Sequence, residues 1–425
     1  MKDLKKTLYL GLGLGVKLLA GLFAVKLCAQ LLGPEAFGVT GQLSSLLSVV
    51  SLLAGAGVSV GITKIYADSE FPVDSRADWL QAAKRIALIS SCLLAAAIVL
   101  SSGWIIDNLF QEAPQAWLLI GCLAASAFPI SYAGIGQGKI NGSHRDDLYA
   151  VSLVTGSIAG IIGLWIGSKY LGPAGALIGM IWLPVAQAVV MSLLSWKTHN
   201  STNNSRKRAT TLRTETRFLL SYGALSIATG VIIPVVYIII RLLIQNFSDN
   251  EIFGLWQATL RISEAYSQLP LILLTVVMFS RFAGTASQPL HHQSVAKLYL
   301  FIIAMMGLIS AFVYYTSEYW IEIVFTTKFK AMESLVPWQL TGDTLRIASY
   351  VGTTILAARG KVKICIFTEI IQGVLLLLLS ILLIPKYSLY GAYYAYISCY
   401  LVYFMLTAFL LFWCNRAATP ESSTH

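Results

Sequence analysis

The chain has 425 residues, of which 56% are hydrophobic and only 12% are charged, and its formal net charge is +10. Apolar runs recur along the whole length, and neither half is polar enough to form a separate soluble domain. This composition excludes a water-soluble globular protein and predicts an integral membrane protein.

Apolar segments divide the chain into membrane spans. Each crossing of the hydrocarbon needs about 20 mostly apolar residues. In chain order, twelve segments meet this length, at approximately 8–32, 36–66, 80–103, 115–137, 147–168, 172–195, 218–245, 252–282, 295–316, 332–358, 362–384 and 389–414. The sequence therefore predicts an all-α polytopic membrane protein with 12 transmembrane helices.

The first segment follows a basic head, as the apolar region of a secretory signal peptide does. Lys17 and Lys26 interrupt it, and no clean small-residue cleavage site follows. It also has a counterpart in the middle of the chain. We therefore interpret it as the first span and not as a leader.

Basic residues predict the orientation. If the N-terminus is cytoplasmic, most Lys and Arg residues outside the spans lie on the cytoplasmic side, as the positive-inside rule requires. The opposite side carries only Lys169, Lys328, Lys330 and Lys386. Both termini are expected in the cytoplasm. The extended basic loop at 197–217 is the predicted linker between an N-terminal lobe, 1–196, and a C-terminal lobe, 218–425.

Short motifs recur between the two halves. The sequence EAFG at Glu35 matches EIFG at Glu251, and GA at Gly175 matches GA at Gly391, both at an offset of 216 residues. Together with the span count, these matches predict a six-plus-six duplication. Because six crossings return the chain to its starting side, the two lobes should be related by a pseudo-two-fold axis along the membrane normal.

Charged side chains inside the spans are the main candidates for a functional site. A charge at the bilayer centre costs about 2.5 to 3.5 kcal/mol on insertion scales, so it normally faces an aqueous cavity or a partner. Basic residues outnumber acidic ones in this set, which predicts a cationic cleft between the lobes and an anionic ligand. The set comprises Lys17, Lys26, Arg241, Arg261, Glu264, Asp343, Arg346 and Glu369.

A structural role is the alternative for several of these charges. Asp343 with Arg346, and Arg261 with Glu264, are spaced i to i+3, so each pair could neutralise itself on one helix face. Lys17 could instead extend its amino group to the cytoplasmic interface. Without these two pairs, the remaining basic residues still outnumber the one remaining carboxylate, so the prediction of an anionic ligand is unchanged.

Other motifs favour no catalytic chemistry. The sequence AGIGQGKI at 133–140 lacks the first glycine and the Ser or Thr of a phosphate-binding loop, so it is interpreted as the end of a helix. No nucleophile is accompanied by a base, and we predict neither an enzyme nor a cofactor.

Pro234 lies about two turns before Arg241, and we hypothesise that it acts as a hinge that moves this arginine.

Four stretches resemble a known family: VKLLAGLFAVKL, LLAGAGVSVGITKIYA, GLWQATLRISEAYSQ and, most specifically, KFKAMESLVPWQLTGDTLRI at 328–347. They are similar to the Wzx-type flippases of the multidrug/oligosaccharidyl-lipid/polysaccharide exporter superfamily, in particular the branch that serves enterobacterial common antigen. The resemblance covers nearly the whole chain. It implies a two-lobed fold that moves an undecaprenyl-diphosphate-linked oligosaccharide from the cytoplasmic to the periplasmic leaflet of the bacterial inner membrane.

The resemblance also implies roles for the charged residues. Substrate binding would fall to Arg241, Arg346, Lys26, Lys17 and Arg261. Arginine is favoured because a guanidinium group binds phosphate or carboxylate oxygens through paired hydrogen bonds. Arg261 departs from the family pattern, so its role would reflect the particular glycan. Proton coupling or gating would fall to Asp343, Glu369 and Glu264, since a carboxylate in a low-dielectric site can exchange a proton near neutral pH.

The expected partners are the lipid-linked oligosaccharide, either an O-antigen or a common-antigen unit, and membrane lipids. The glycan polymerase and the chain-length regulator are further expected partners, and nucleic acid is not.

Two alternative functions remain open. A multidrug or cation antiporter of the same superfamily would share the fold but should have a net acidic cavity, and a membrane glycan polymerase should have a larger outer loop.

Overall fold

The computed structural model describes residues 2–55, 57–68, 71, 76–111, 113–197, 215–221, 223, 230–284 and 292–416. Within these ranges every regular element is a helix, which confirms the predicted all-α class. The predicted linker lies mostly outside the described residues, as do the last nine residues of the chain. The predicted location of both termini therefore stays a prediction.

The chain divides into two compact units, Met1–Val235 and Val236–His425. In the described part of the first unit, the helices before the predicted linker are α1 (Lys2–Ala54), α2 (Val58–Ala67), α3 (Arg76–Leu100), α4 (Ser102–Leu109), α5 (Ala116–Gly142) and α6 (Asp146–Lys197). The division into lobes that the sequence predicts, with its boundaries at 196 and 218, stays a prediction.

The second unit begins within α7. Its described elements are α7 (Ile232–Phe247), α8 (Asn250–Ile272), a π-helical segment (Leu273–Met278), α9 (Phe279–Gly284), α10 (His292–Tyr315), α11 (Ser317–Val324), a 3₁₀ helix (Thr327–Leu335), α12 (Val336–Ala358), α13 (Val362–Tyr387) and α14 (Leu389–Arg416). The π-helical segment comes shortly after Pro270, which removes one helical hydrogen bond from α8.

Seven of the described helices are long and apolar enough to cross a membrane, which supports a multi-pass membrane protein. Two of them, α1 and α6, contain a glycine with non-helical backbone angles, Gly33 (φ 68°, ψ 176°) and Gly172 (φ 56°, ψ −132°). Both glycines lie at predicted boundaries between spans, so each long helix has the length of two crossings. The charged helices α8 and α12 are not among the seven, and the count of twelve stays a prediction.

One predicted span is interrupted. The segment 36–66 was expected to be one helix, but α1 ends at Ala54 and α2 begins at Val58. Gly57 has φ 65°, a left-handed conformation that glycine adopts without steric cost. A Cβ atom at Gly57 would lie 2.3 Å from the Cα atom of Gly223, so a larger residue would not fit. The prediction of a continuous helix here is wrong.

Glycines pack the two halves of α6 against each other. A Cβ atom at Gly175 would lie 1.9 Å from the carbonyl oxygen of Gly167, and one at Gly156 would lie 2.6 Å from the Cα atom of Gln187. Such small residues let two helices approach closely within a membrane. The backbone of Gln187 is therefore held against the first half of α6.

The same local geometry recurs at the chain reversal in the second unit. Ser388 has φ 50° and ψ −131°, close to the angles of Gly172, which lies 216 residues earlier. Gly175 and Gly391 each lie three residues after one of these positions. Each of them packs against the carbonyl group of the residue eight positions before it. For Gly391 a Cβ atom would lie 2.3 Å from the oxygen of Leu383. This recurrence at the offset of the sequence repeat supports a duplicated chain.

The motif at 133–140 lies entirely within α5, which confirms that it is part of a helix and not a phosphate-binding loop. Its glycines are packing positions. A Cβ atom at Gly138 would lie 2.7 Å from the carbonyl oxygen of Ser59, and one at Gly136 would lie 2.9 Å from Oγ of Ser195. Lys139, in the last turn of α5, donates a hydrogen bond to the carbonyl oxygen of Ser195 (2.9 Å). The motif thus joins α5 to α2 and α6.

Candidate functional site

Asp343 on α12 lies at the centre of a buried polar cluster in the second unit, and its side chain is completely inaccessible to solvent. The carboxylate accepts hydrogen bonds from the hydroxyl of Tyr396 (2.7 Å), from Nε2 of Gln339 (3.1 Å) and from the hydroxyl of Tyr266. Nη2 of Arg346 lies 3.0 Å from Oδ1. Four donors therefore surround one buried negative charge, as a buried ion requires.

Arg346 links this cluster to α8. Its Nη2 atom donates to Oγ of Ser267 (2.7 Å) and, at longer range, to Oγ of Ser263 (3.4 Å). Its buried Nε atom makes no hydrogen bond to any described residue. The guanidinium group thus binds one carboxylate and two hydroxyl groups through Nη2 and keeps its buried Nε donor uncommitted.

The local sequence explains this geometry. Gln339, Asp343 and Arg346 are spaced i, i+4 and i+7, so they share one face of α12. A Cβ atom at Gly342 would lie 2.2 Å from Cδ1 of Tyr396. Because Gly342 has no side chain, α14 approaches α12 closely enough for the Tyr396 hydroxyl to reach the carboxylate.

Buried tyrosines extend the cluster along α14. Four of them recur at helical spacing and are each at most 6% exposed: Tyr393, Tyr396, Tyr400 and Tyr403. The hydroxyl of Tyr393 is 2.9 Å from Oγ1 of Thr259, and that of Tyr400 accepts from Nε2 of Gln372 (2.8 Å). The sequence analysis missed these residues. Tyrosines that recur at helical spacing are nevertheless a visible signal, because each side chain has an apolar ring and a polar hydroxyl.

The other predicted pair also forms. Nη1 of Arg261 is 2.9 Å from Oε2 of Glu264 on α8, and the side chains are 11% and 56% exposed. Both i to i+3 ion pairs are therefore present, as the structural alternative expected. Substrate and coupling roles for these four residues stay predictions.

Arg241 on α7 is 4% exposed. Its Nε atom donates to Oε1 of Gln257 (3.1 Å), and its guanidinium carbon lies 5.5 Å from the ring centroid of Tyr237. An aromatic face attracts a cation electrostatically and partly replaces its hydration. The structure thus buries this arginine against an amide oxygen and an aromatic ring.

The remaining predicted residues are not among the described hydrogen-bond or ion-pair partners of Asp343. Glu369 is half-buried on α13, and Lys26 is half-buried on α1. Lys17, also on α1, lies at a cavity of the first unit. The predicted grouping of all these charges around one cleft stays a prediction.

Pro234 lies in the first turn of α7, which begins at Ile232 after a bend at residue 231. The first turn of a helix has backbone N–H groups without helical partners, so a proline costs little there. Residues 224–229 are outside the described part of the chain. A hinge role for Pro234 stays a prediction.

The cavity in the first unit has a volume of about 490 Å³ and lies among α1, α2, α5 and α6. Its polar lining consists of Lys17, Ser51, Ser59, Gln137, Tyr149 and Gln187. No described residue that lines it is acidic. The sequence analysis singled out only Lys17 here. Two glutamines within apolar spans are a weak signal, because an amide carries no charge.

These arrangements suit binding more than bond chemistry. The second unit has a buried ion-pair cluster that joins three helices. The first unit has a cavity whose lining includes six polar side chains, one of them the cation of Lys17. Among the described residues, no three His, Cys, Asp or Glu side chains lie close enough together to hold a metal ion.

Comparison with known proteins places these features in context. A family model described as "Polysaccharide biosynthesis protein" matches residues 27–334. The protein called lipid III flippase in Escherichia coli (strain K12) is 28% identical over 413 residues, which are 95% of this chain and 96% of that relative.

Two solved structures share the fold. An inward-facing multidrug resistance MATE family transporter of the MOP superfamily aligns with a TM-score of 0.74 at 16% identity, over 97% of this chain and 100% of that one. The lipid II flippase MurJ, in an inward closed conformation, aligns with a TM-score of 0.66 at 16% identity, over 97% and 93%. At these identities the two structures show a common fold alone, which confirms the predicted all-α membrane class, while the twelve helices and the two lobes stay predictions.

Proposed function

The chain belongs to the polysaccharide biosynthesis protein family, and we infer from this membership that it is a flippase for lipid-linked oligosaccharides. One observation carries this conclusion. The alignment with the lipid III flippase extends over nearly the full length of both chains, so the similarity is not confined to one part of the protein. The protein is accordingly a transporter of a lipid-linked substrate in a multi-pass membrane fold.

We propose that the substrate is an undecaprenyl-diphosphate-linked oligosaccharide, either an O-antigen or an enterobacterial common antigen unit. It would move by alternating access from the cytoplasmic to the periplasmic leaflet of the inner membrane. Arg241 and Arg346 are the proposed contacts for the diphosphate, with Lys17, Lys26 and Arg261 as further basic contacts. Arginine suits such contacts because its planar guanidinium group can pair two N–H donors with phosphate oxygens.

We propose that the acidic residues differ in role. Asp343 already accepts from four donors, so its protonation would break an existing cluster. Glu369 is half-buried with no hydrogen bond to a described residue, so it can exchange a proton at lower cost. Glu369 is therefore the favoured proton carrier, and the pair of Glu264 with Arg261 is a candidate gate.

The proposed cellular setting follows from the substrate. Both termini would lie in the cytoplasm, and the glycan polymerase and chain-length regulator would consume the product in the periplasm. A multidrug antiporter of the same superfamily is the alternative function. Lys17 and the absence of acidic side chains among the described lining of the first-unit cavity count against a cationic drug there.

Complementation tests the proposed function. The chain is expressed in a strain lacking its lipid III flippase, in a strain lacking its O-antigen flippase and in a drug-sensitive strain. We expect surface glycan to be restored in one of the first two strains and no gain of drug resistance. Drug resistance without glycan export would support the antiporter instead.

Charge reversal in the same strains locates the contacts. Arg241→Glu should abolish glycan export. Arg145→Glu is the matched control, because Arg145 is half exposed in a surface pair with Asp147. Equal export by the two variants would remove Arg241 from the proposed site.

A further inference from the structure

Two helix faces line the first-unit cavity with the same arrangement. On α5 the lining residues Ile130, Ala133, Gly134 and Gln137 are spaced i, i+3, i+4 and i+7. On α6 the residues Pro184, Gln187, Ala188 and Met191 have the same spacing. Residues at this spacing share one helix face. A small residue lies near each glutamine in the lining, Gly134 on α5 and Ala188 on α6.

Tight packing fixes the backbone of both glutamines. Gly136 and Gly138, on either side of Gln137, are in close contact with α6 and α2. Gly156 lies against the backbone of Gln187, where a Cβ atom would come within 2.6 Å of its Cα atom. The scaffold of the cavity is therefore rigid at these positions, a condition for a preorganised binding site.

The two amides are available to a ligand. Both glutamine side chains are half-buried at the cavity, and neither has a hydrogen-bond partner among the described residues. A polar group inside a membrane protein is costly unless it is solvated or paired. Two such groups on facing helices indicate a site for a polar ligand.

The chemistry of the lining limits the class of ligand. An amide and a hydroxyl each offer both a donor and an acceptor. The lining has two amides, the hydroxyls of Ser51, Ser59 and Tyr149, and the single cation of Lys17. A diphosphate offers only acceptors and would favour several cations. Sugar hydroxyl and acetamido groups are donors as well as acceptors, so they match this lining better.

We propose that the first-unit cavity binds the sugar portion of the lipid-linked substrate, with Gln137 and Gln187 as specificity-determining residues. The proposal rests on the proposed function: it assigns the glycan to the amides and hydroxyls of this cavity, and Lys17 is the one lining residue shared with the proposed diphosphate contacts. The cavity's volume of about 490 Å³ falls in the range of about 300 to 1,000 Å³ that is typical of small-molecule sites.

Binding to detergent-purified protein tests this assignment with two ligands, undecaprenyl diphosphate and undecaprenyl-diphosphate-N-acetylglucosamine. Gln137→Leu and Gln187→Leu should each weaken binding of the glycosylated lipid about tenfold, the effect of losing about 1.4 kcal/mol of hydrogen bonding. Neither variant should change the affinity for undecaprenyl diphosphate. Gln30→Leu, at an exposed position on α1 away from the cavity lining, is the matched control and should bind both lipids normally.

Gln187→Met guards against a folding defect, because it keeps the approximate size of the side chain and removes its hydrogen-bonding groups without adding a charge near Lys17. It should also weaken only the glycosylated lipid. Equal weakening of both lipids by these variants, or no weakening of either, would overturn the sugar site and leave the flippase function intact. A wild-type protein that binds neither lipid would overturn both.

Discussion

Replacing Asp343 with alanine will destabilise the second unit by about 3 to 5 kcal/mol. The substitution leaves Arg346 largely buried and charged, with serine hydroxyls as its remaining partners. Removal of one member of a buried ion pair typically costs this much, because the other charge is then uncompensated. At about 2 to 4 °C per kcal/mol for a unit of this size, the thermal midpoint of purified protein should fall by roughly 10 °C.

Two further variants make this measurement specific. Asp147→Ala removes the carboxylate of an exposed ion pair, in which the side chains are half exposed, and should leave the midpoint unchanged. Asp343→Leu combined with Arg346→Met removes both charges and should recover part of the lost stability, because Tyr266, Gln339 and Tyr396 still lose their acceptor. A midpoint for Asp343→Ala equal to that of the Asp147 variant would show that the cluster contributes nothing.

Gly342→Ala should destabilise the same cluster by about 1 to 3 kcal/mol, the usual cost of overpacking. The new methyl group would lie 2.2 Å from Cδ1 and 2.4 Å from Cε1 of Tyr396. The Tyr396 ring cannot move freely, because it packs against the Tyr400 ring at 4.8 Å between centroids. Its displacement would also lengthen the hydrogen bond to Asp343. The measurement is again the thermal midpoint.

Gly307→Ala on α10 is the matched control for this substitution. No atom lies within 4 Å of a Cβ atom at Gly307, so the change adds helix propensity without a clash. It should therefore stabilise the protein by about 1 kcal/mol. The two glycine variants are expected to shift the midpoint in opposite directions. An unchanged or raised midpoint for Gly342→Ala would mean that Gly342 is not a packing position.

Much of the fold follows from the sequence for a simple physical reason. A bilayer requires continuous apolar helices, so hydropathy predicts the helical class and the boundaries at Gly33 and Gly172. The break at Gly57 was missed because a glycine is tolerated in a membrane helix as well as in a turn. Only its contact with Gly223, which is distant in sequence, decides between the two.

The candidate site was predictable only in part. The ion pair of Asp343 with Arg346 follows from local spacing. Tyr266 and Tyr396 are 77 and 53 residues from Asp343, so their hydrogen bonds depend on how α8 and α14 pack against α12. No local pattern specifies such packing. Gln137 and Gln187 were missed because an uncharged amide stands out little in an apolar span, although the small neighbours at i−3 and i−4 of Gln137 are a usable signal.

Translocation in proteoliposomes tests the flippase function most directly. Purified protein is reconstituted with a fluorescent undecaprenyl-diphosphate-linked oligosaccharide, and a membrane-impermeant glycosidase then digests the glycan on the outer leaflet. We predict that the inner-leaflet pool becomes accessible only in vesicles that contain the protein. A protected pool equal to that of protein-free vesicles would contradict the account.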